Sequence, residues 1–314
     1  LMFITFPGFS QSNMLTVTQA VETALKNNGR IRSADFDWQS QKALQRTSFD
    51  LPKTEVSLVY GQYNSYPKND NNITISQAIP FSAFGSQGGL NRALVASKEM
   101  KKTVTENEIV YQVRQVYHQL AYAMARQRLL QRQDSIYEGF LRSATSRYQA
   151  GETNLMEQTT AEVQRSEARI LLSENEGGIL KLKMQLVALL NAGDLPDLSP
   201  NDLVALPFEG IPDTTAYTSN PALANTRQEI AVARAEKRWQ ASKLAPDLLV
   251  GIFSQTLIGG PVNDSGRPAT RGDRFTGFQI GVSLPLWFVP HQARVRSAEF
   301  AKMAAERTYD DHKV

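Results

Sequence analysis

Apolar and polar residues alternate along two stretches of the chain. A period of two places one set of side chains on each face of a β-strand. This alternation predicts strands at 72–79 and 275–284, and two similar apolar runs predict strands at 54–63 and 248–258. The alternating sets are Phe278, Ile280, Val282 and Leu284 against Gln279, Gly281 and Ser283, and Ile73, Ile75 and Ile79 against Thr74, Ser76 and Ala78.

A sheet with one apolar and one polar face fits two environments. It can be half-buried in a soluble domain, or it can form a membrane barrel with lipid outside and water inside, at about 10 residues per strand. The segments 64–71 and 259–274 are polar and rich in Gly, Pro and Asn, which favours the barrel. Trp287 and Phe288 fit either an aromatic girdle or a buried helix contact. Because the smallest membrane barrels have about eight strands, several copies of the chain must contribute.

The longest helical stretch runs from residue 86 to 150 without a proline. At 1.5 Å per residue it makes a rod of about 98 Å. Its apolar residues recur at alternating steps of four and three, which predicts coiled-coil pairing with another helix. Only Gln127 and Asp134 interrupt this seam, and they either set the helix register or face water. The seam residues are Ile109, Val113, Val116, Leu120, Ala123, Leu130, Tyr137, Leu141, Ala144 and Tyr148.

A second helix returns after a turn at 151–153. Gly151 can adopt the left-handed conformation that ends a helix, and Asn154 can cap the return helix. The sequence therefore predicts a long antiparallel helical hairpin over 86–190. The seam predicted on the return helix is Val163, Ser166, Ile170, Ser173, Gly177, Leu180, Met184 and Val187.

The same order of elements occurs twice, which indicates a tandem duplication. In each copy a helix leads through a Leu-Pro or Ala-Pro break into two alternating strands. The first helix begins at a capping box of Thr16 and Gln19 and continues to about residue 49. We divide the chain into a signal-peptide remnant at 1–12, a first repeat at 13–198 with a β-hairpin at 54–80, a connector at 199–219, and a second repeat at 220–314 with a β-hairpin at 248–285.

Composition excludes several classes of function. The 34 basic and 31 acidic residues are interspersed along helices, so we expect no nucleic-acid partner. There are no cysteines, which excludes disulfides and cysteine catalysis. His118, His291 and His312 lie in unrelated segments and do not supply the three or four converging ligands that a metal site needs. Because no catalytic constellation or phosphate loop is present, we expect no enzyme activity, cofactor or metal site.

Residues 1–12 are apolar and resemble the end of a signal peptide, which predicts export. No stretch reaches the length of about 20 apolar residues that a membrane helix needs. Any passage through a bilayer must therefore use strands.

Three segments resemble the TolC family of outer-membrane efflux ducts. Residues 15–28 are similar to its opening helix, residues 147–155 to its hairpin tip, and residues 281–296 to its last strand and the following helix. The likeness covers nearly the whole chain in the same order. Residues 79–81 and 283–288 look most like members that work with heavy-metal pumps of the Cus/Czc class.

The resemblance implies an α+β membrane fold, in which three chains form a twelve-stranded β-barrel continued by helical hairpins. It implies a passive exit duct for metal cations or drugs in the outer membrane of a Gram-negative bacterium, with helices in the periplasm. The implied partners are two more copies of the chain, a periplasmic adaptor, an inner-membrane pump of the RND type, and outer-membrane lipid. The implied adaptor-docking tip consists of Arg147, Tyr148, Gly151, Thr153 and Leu155.

Alternatives remain open at this point. The chain can also be a periplasmic coiled-coil adaptor or a structural interaction protein, although an adaptor has a compact domain flanking its hairpin rather than two separated strand pairs. At the tip, Gly151 and Leu155 fit turn formation and packing as well as docking. The family has a second long hairpin after the second strand pair, whereas only 24 residues follow Pro290. We therefore expect the chain to be truncated.

Overall fold

The structure is a computed structural model that describes residues 14–62, 68–194, 198, 220–259 and 266–313. These residues form two compact units. Unit 1 holds the described residues up to Asp35 and from Lys102 to Leu198, and unit 2 holds those from Phe36 to Lys101 and from Asn220 onward. The predicted signal-peptide remnant and connector lie outside the described residues, and the repeat boundaries stay predictions.

The predicted α+β class is confirmed, because the described residues combine α-helices with one four-stranded antiparallel sheet. None of the described helices is long and apolar enough to cross a membrane. In chain order the elements are α1 (Val17–Asn27), α2 (Gly29–Leu44), a 3-10 helix (Gln45–Phe49), β1 (Glu55–Gly61), β2 (Asp70–Ile79), α3 (Phe81–Gln149), α4 (Leu155–Leu190), α5 (Pro221–Ser242), β3 (Asp247–Thr256), β4 (Arg274–Ser283) and α6 (Phe288–Lys313).

The first helix begins where the sequence predicts. Thr16 Oγ1 accepts a hydrogen bond from the Gln19 amide at 3.2 Å, and Gln19 Oε1 accepts one from the Thr16 amide at 3.0 Å. The prediction of one continuous helix to residue 49 is wrong. Asn28 has an extended backbone, with φ −62° and ψ 129°, and separates α1 from α2. Its Oδ1 accepts a hydrogen bond from the Arg30 amide at 2.9 Å and so caps α2.

Two asparagines connect this break to the end of α4. Asn28 Nδ2 donates to the Leu189 carbonyl oxygen at 2.8 Å, and Asn191 Nδ2 donates to the Asn27 carbonyl oxygen at 3.1 Å. Asn191 adopts a left-handed backbone with φ 48°, a conformation in which asparagine is enriched. Long-range side-chain hydrogen bonds therefore stabilise the break.

The core of unit 1 lies where α1 and α3 meet α4. Tyr117 is part of this core at 2% exposure, and its hydroxyl donates to the Leu15 carbonyl oxygen at 2.8 Å. Burial raises the pKa of the Tyr117 hydroxyl. The core also contains Ala20, Ala24, Ile31, Ile109, Val113, Leu120, Ala123, Ile179, Leu186 and Leu190.

The predicted seam of α3 is confirmed by six of its residues, which are buried. Its two polar members contact α4: Gln127 Nε2 donates to Glu176 Oε1 at 3.3 Å, and Asp134 Oδ1 lies 3.5 Å from Arg165 Nε. These cross-helix contacts agree with a role in helix register. The buried seam residues are Ile109, Val113, Leu120, Ala123, Leu130 and Ala144.

The predicted seam of α4 is wrong. Val163, Ile170 and Met184 from that seam are exposed. The helix packs through its other side, where most buried positions lie two residues, or about 200° around the helix, from a predicted one. On this face Asn175 Nδ2 donates to the Ala123 carbonyl oxygen at 2.9 Å. The buried residues of α4 are Ala161, Ala168, Asn175, Ile179, Leu186 and Leu190.

All four strands begin and end within two residues of the predicted bounds. Helix α3, however, begins at Phe81, directly after Pro80, and not at residue 86, and it contains Gly85, Gly88 and Gly89. A Cβ added at Gly88 would lie 3.5 Å from Ser48 Cβ, an ordinary van der Waals distance, so this part of α3 lies beside the 3-10 helix. Nearby, Asn91 Nδ2 donates to the Leu44 carbonyl oxygen and to Ser48 Oγ, both at 3.2 Å.

Unit 2 contains the sheet and the helices that adjoin it. The strand order is β1-β2-β3-β4, and neighbours are antiparallel. All four strand-to-helix junctions therefore lie at one end of the sheet. The helices are arranged in the same order as the strands. Helix α3 contacts α2 through Asn91, and it contacts α5 through the hydrogen bond from Ser82 Oγ to the Ser242 carbonyl oxygen at 3.0 Å. Helix α5 contacts α6 through the ion pair of Lys237 with Glu299.

Candidate functional site

One face of the sheet is apolar across all four strands. The strand register places Val56, Ile75, Ile252 and Phe278 in one row. In the single chain this face is open: Phe278 is 86% and Ile280 is 78% exposed. We call it the apolar face. Its apolar members are Val56, Leu58, Tyr60, Ile73, Ile75, Ile79, Leu248, Val250, Ile252, Phe278, Ile280 and Val282, and the polar residues Gln77, Ser254 and Thr276 lie between them on the same face.

The opposite face, here called the polar face, is built mainly from small and polar residues. Phe253 and Gly277 are register partners on it. A Cβ added at Gly277 would lie 2.6 Å from Phe253 Cζ, so the ring lies directly over the glycine. The polar members are Glu55, Ser57, Asn72, Thr74, Ser76, Asp247, Gly251, Gln255, Gly277, Gln279, Gly281 and Ser283, and the larger apolar members are Val59, Leu249, Phe253 and Phe275.

The sheet also has two open edges. Among the described residues, β1 pairs only with β2 and β4 pairs only with β3. The outer edges of β1 and β4 therefore present backbone groups that another strand can bind. A large exposed apolar surface marks a site of contact with protein or membrane, and both features indicate a surface that is completed by something outside the single chain.

Helices α3 and α4 each carry a second apolar stripe on the side away from their mutual seam. Tyr122, Leu129 and Ile136 recur every seven residues on α3. Met156, Val163, Ile170 and Met184 occupy one seven-residue frame of α4, and all seven side chains are exposed. An isolated hairpin needs one seam, so the second stripe indicates that further helices pack beside it.

The predicted tip residues surround one tight turn. Gly151 has φ +75°, a left-handed conformation that glycine adopts without strain. Its amide donates to the Tyr148 carbonyl oxygen at 3.0 Å, and the Glu152 amide donates to the Arg147 carbonyl oxygen at 2.9 Å. This pattern closes the helix end. Tyr148 and Leu155 are 41% and 57% exposed at the turn.

Glu157 belongs to the tip, although it is not among the five residues predicted there. Its Oε1 lies 2.8 Å from Arg147 Nη1, and its Oε2 accepts a hydrogen bond from the Thr153 hydroxyl. Its amide donates to Asn154 Oδ1 at 3.2 Å. One carboxylate therefore joins both arms of the hairpin to the turn. Its position in the first turn of α4 is the only sequence signal for this role.

A cleft of about 620 Å³ lies beside the turn, between the two arms. It is mainly apolar: Phe140 and Met156 are 63% and 75% exposed. Its lining residues are Ile136, Tyr137, Phe140, Asn154, Met156, Glu157, Thr160, Ala161 and Gln164. The cleft and the turn together form an exposed surface at the end of the hairpin.

At the strand-to-helix end of unit 2, Lys243 Nζ lies 3.2 Å from the centre of the Trp239 ring. Burial lowers the pKa of Lys243, and the nearby Arg294 charge lowers it further, while Glu236 acts in the opposite direction.

Among the described residues, no group of three His, Asp or Glu side chains is arranged to hold a metal ion.

Solved membrane-protein structures share this arrangement. Structures of CusC, described in terms of transmembrane channel formation, have a TM-score of 0.72 at 17% identity and cover 94% of this chain and 72% of theirs. The chain has the TolC-type channel fold. A membrane protein from Pseudomonas aeruginosa gives 0.76 at 17% identity, with 94% and 73% covered. The CmeC outer-membrane channel of Campylobacter jejuni gives 0.75 at 15% identity, with 94% and 67% covered.

The TolC fold confirms the structural part of the predicted resemblance. CusC has a lower TM-score than the other two structures and the same sequence identity as the Pseudomonas aeruginosa protein, so the heavy-metal subgroup stays a prediction. The named structures include channels and no adaptor, which does not favour the adaptor alternative. No protein-family model matches the sequence, and neither does any curated protein.

Proposed function

We propose that this protein is the exit duct of a tripartite efflux system in the outer membrane and that it works as a homotrimer. The exposed apolar face of the sheet carries this proposal, because a face of this kind suits lipid while the polar face behind it suits a water-filled lumen. The duct performs no reaction. It gives metal cations or drugs a passive route through the bilayer, and the pump supplies the free energy.

The open edges of β1 and β4 support assembly into a closed ring. An unpaired backbone group in lipid costs several kcal/mol. In a head-to-tail ring, β4 of one copy pairs with β1 of the next, and rotation closes the barrel. Two copies supply eight strands, which leave an interior filled by side chains, whereas three supply twelve strands and leave room for a lumen.

The second apolar stripes of α3 and α4 support the same assembly. Each hairpin packs internally through one face and presents Leu129 and Val163 on the other. In a ring of helices, this second face of each hairpin packs against the neighbouring hairpin. The helical part of the duct therefore continues as a cylinder into the periplasm.

The hairpin tip docks a periplasmic adaptor, which links the duct to an inner-membrane pump of the RND type. Tyr148 and Leu155 provide exposed contact area, while Gly151 and Thr153 shape the turn that presents them. Arg147 acts both as a contact residue and, through Glu157, as a support for the turn.

The proposal is tested by measuring the mass and conductance of the protein extracted from outer membranes. Light scattering in detergent should give a trimer, and the same sample should conduct ions across planar lipid bilayers. A stable monomer that does not conduct would contradict the proposal.

A further inference from the structure

The apolar side chains of the apolar face form a slanted band across the sheet. The strand register divides this face into rows of directly opposed residues. One row contains Leu58, Ile73, Ser254 and Thr276, so it is apolar on β1 and β2 but polar on β3 and β4. We call the end of the sheet with the strand-to-helix junctions the helix end, and the opposite end the loop end.

At the loop end, the band begins at different levels on the two outer strands. Tyr60 is an exposed residue of β1, and its register partner is Asn71. Arg274 Nη1 donates to Asn71 Oδ1 at 2.9 Å, so Arg274 lies at the same level on β4. The first apolar residue of β4 on this face is Phe278, four residues after Arg274. The band is therefore displaced toward the helix end as it crosses from β1 to β4.

At the helix end, the band is displaced in the same direction. Val56 is its last apolar residue on β1, and Thr54 is the next residue of this face toward the helix end. The row of Val56 meets β4 at Phe278, but on β4 the band continues to the exposed Leu284, six residues later. Together the two boundaries give a mean displacement of about five residues over the three steps from β1 to β4.

Gln77 lies inside this band, but its amide group is satisfied by the chain itself. Its Oε1 accepts a hydrogen bond from Thr54 Oγ1 at 2.7 Å, and its Nε2 donates to the Pro52 carbonyl oxygen at 2.8 Å. A polar group with such partners can be buried in an apolar environment at a low cost. Gln77 therefore does not interrupt the band.

In a bilayer, the slant of the band requires the strands to be tilted. Lipid favours apolar residues of neighbouring strands at one depth, so a displacement along the strands becomes a tilt from the bilayer normal. About 1.7 residues per step, at about 3.3 Å per residue and about 4.8 Å between strands, corresponds to a tilt of about 49°. This value is close to the tilt of about 35–45° in membrane barrels.

The same condition limits how β4 of one copy can pair with β1 of the next copy. The displacement over one copy and its junction must be an even number of residues, because an odd number would turn side chains to the other face. About five residues are already displaced within the sheet, so a total of four would make the band step backwards at the junction. A total of eight requires a tilt of about 54°, whereas a total of six requires about 46°. Six therefore agrees best with both the band and the tilt of membrane barrels.

We propose that β4 of one copy pairs with β1 of the next copy in the antiparallel register that places Val282 opposite Leu58. The inference rests on the proposed function, since it requires a closed ring in a bilayer. The same register places Ile280 opposite Tyr60 and Leu284 opposite Val56. Apolar residues then meet across the junction, and the band continues around the ring at a constant depth.

Disulfide cross-linking in outer membranes tests this register. The chain has no cysteine, so bonds form only between introduced residues. On oxidation, Leu58→Cys with Val282→Cys should convert the monomer into a covalent trimer in denaturing electrophoresis, because Cβ atoms of directly opposite residues lie about 4.5–5.5 Å apart. A bond within one copy is excluded, since the two outer strands are about 14 Å apart and a disulfide needs Cα atoms within about 7 Å.

Matched cysteine pairs report on the neighbouring registers. Leu58→Cys with Ile280→Cys reports a displacement of four residues, and Leu58→Cys with Leu284→Cys reports one of eight. Both should cross-link much more slowly, because diagonal neighbours lie about 7–8 Å apart. Tyr60→Cys with Ile280→Cys is a second pair in the proposed register that leaves Leu58 and Val282 unchanged, and it should also give the covalent trimer.

The rates are compared for variants that reach the outer membrane in normal amounts. Faster trimer formation by either neighbouring pair, or equal rates for the three pairs that contain Leu58→Cys, would overturn the inference and leave the ring in place. If none of the four pairs joined copies of the chain, the edges of β1 and β4 would not meet, which would contradict the proposed function itself.

Discussion

The ring of Phe253 lies on Gly277, its partner in the neighbouring strand, so closely that a methyl group at Gly277 would come within 2.6 Å of the ring. The aromatic side chain therefore lies flat along the polar face. Gly281, two residues further along β4, has more room, because its added Cβ would lie 3.7 Å from Leu249.

Gly277→Ala should therefore destabilise the sheet by about 1–3 kcal/mol, the usual cost of overpacking. Gly281→Ala is the matched control and should have a much smaller effect. The measurement is the urea midpoint of unfolding in detergent micelles. Adding Phe253→Ala to Gly277→Ala should remove most of the clash, and equal effects of the two glycine variants would show that the ring does not depend on Gly277.

The two faces of β4 should differ in their tolerance of charge. Ile280→Arg places a cation on the apolar face and should cost about 2–4 kcal/mol if the position lies near the bilayer midplane. Gln279→Arg, one residue away on the polar face, should be far milder. Unfolding of both variants from lipid vesicles checks this, and similar losses at the two positions would refute the assigned facing.

A charge exchange at the tip separates docking from turn support. Arg147→Glu places a second carboxylate beside Glu157 and should lower both efflux and cross-linking to the adaptor, while barrel insertion stays intact. In the double variant Arg147→Glu with Glu157→Arg, the ion pair is restored with reversed polarity. If Arg147 also contacts the adaptor, cross-linking should stay low in the double variant. Full recovery would assign Arg147 to the turn alone, and normal cross-linking in the single variant would exclude both roles.

Tyr117 should make stability depend on alkaline pH. Its pKa is raised in the folded state by burial, so its contribution is complete below the unfolded pKa of about 10 and is lost as the pH rises further. Tyr117→Phe removes the hydrogen bond to Leu15 and should cost about 1 kcal/mol at neutral pH. The difference between the two proteins should shrink above pH 10 in thermal melts. Tyr111→Phe, at a position 65% exposed on the same helix, is the control and should show no such trend.

Local periodicity was sufficient to predict the strands and the α3 seam but not the α4 seam. Helix α4 has apolar residues on two opposite sides, and Val163 and Ala168 both fit a 3.5-residue repeat. The pattern cannot indicate which side meets α3 and which is left for another chain. Both sides mix small and large residues: the predicted seam contains Ser166 and Gly177, and the buried side contains Ala168 and Leu186.

Long-range partners explain the other differences. The break at Asn28 depends on the Leu189 carbonyl, 161 residues away. At the tip, the residue types at Gly151 and Asn154 predicted the turn, but the link from Glu157 to Arg147 became visible only when both arms were in place.

Cysteine scanning of β4 tests the central claim that the sheet separates lipid from water. The chain has no cysteine, so each single replacement between residues 278 and 283 reports on one position. In intact outer membranes, a charged, water-soluble maleimide should label cysteines at Gln279, Gly281 and Ser283 and leave those at Phe278, Ile280 and Val282 unlabelled. Uniform labelling of all six positions, or labelling of the opposite set, would contradict the account.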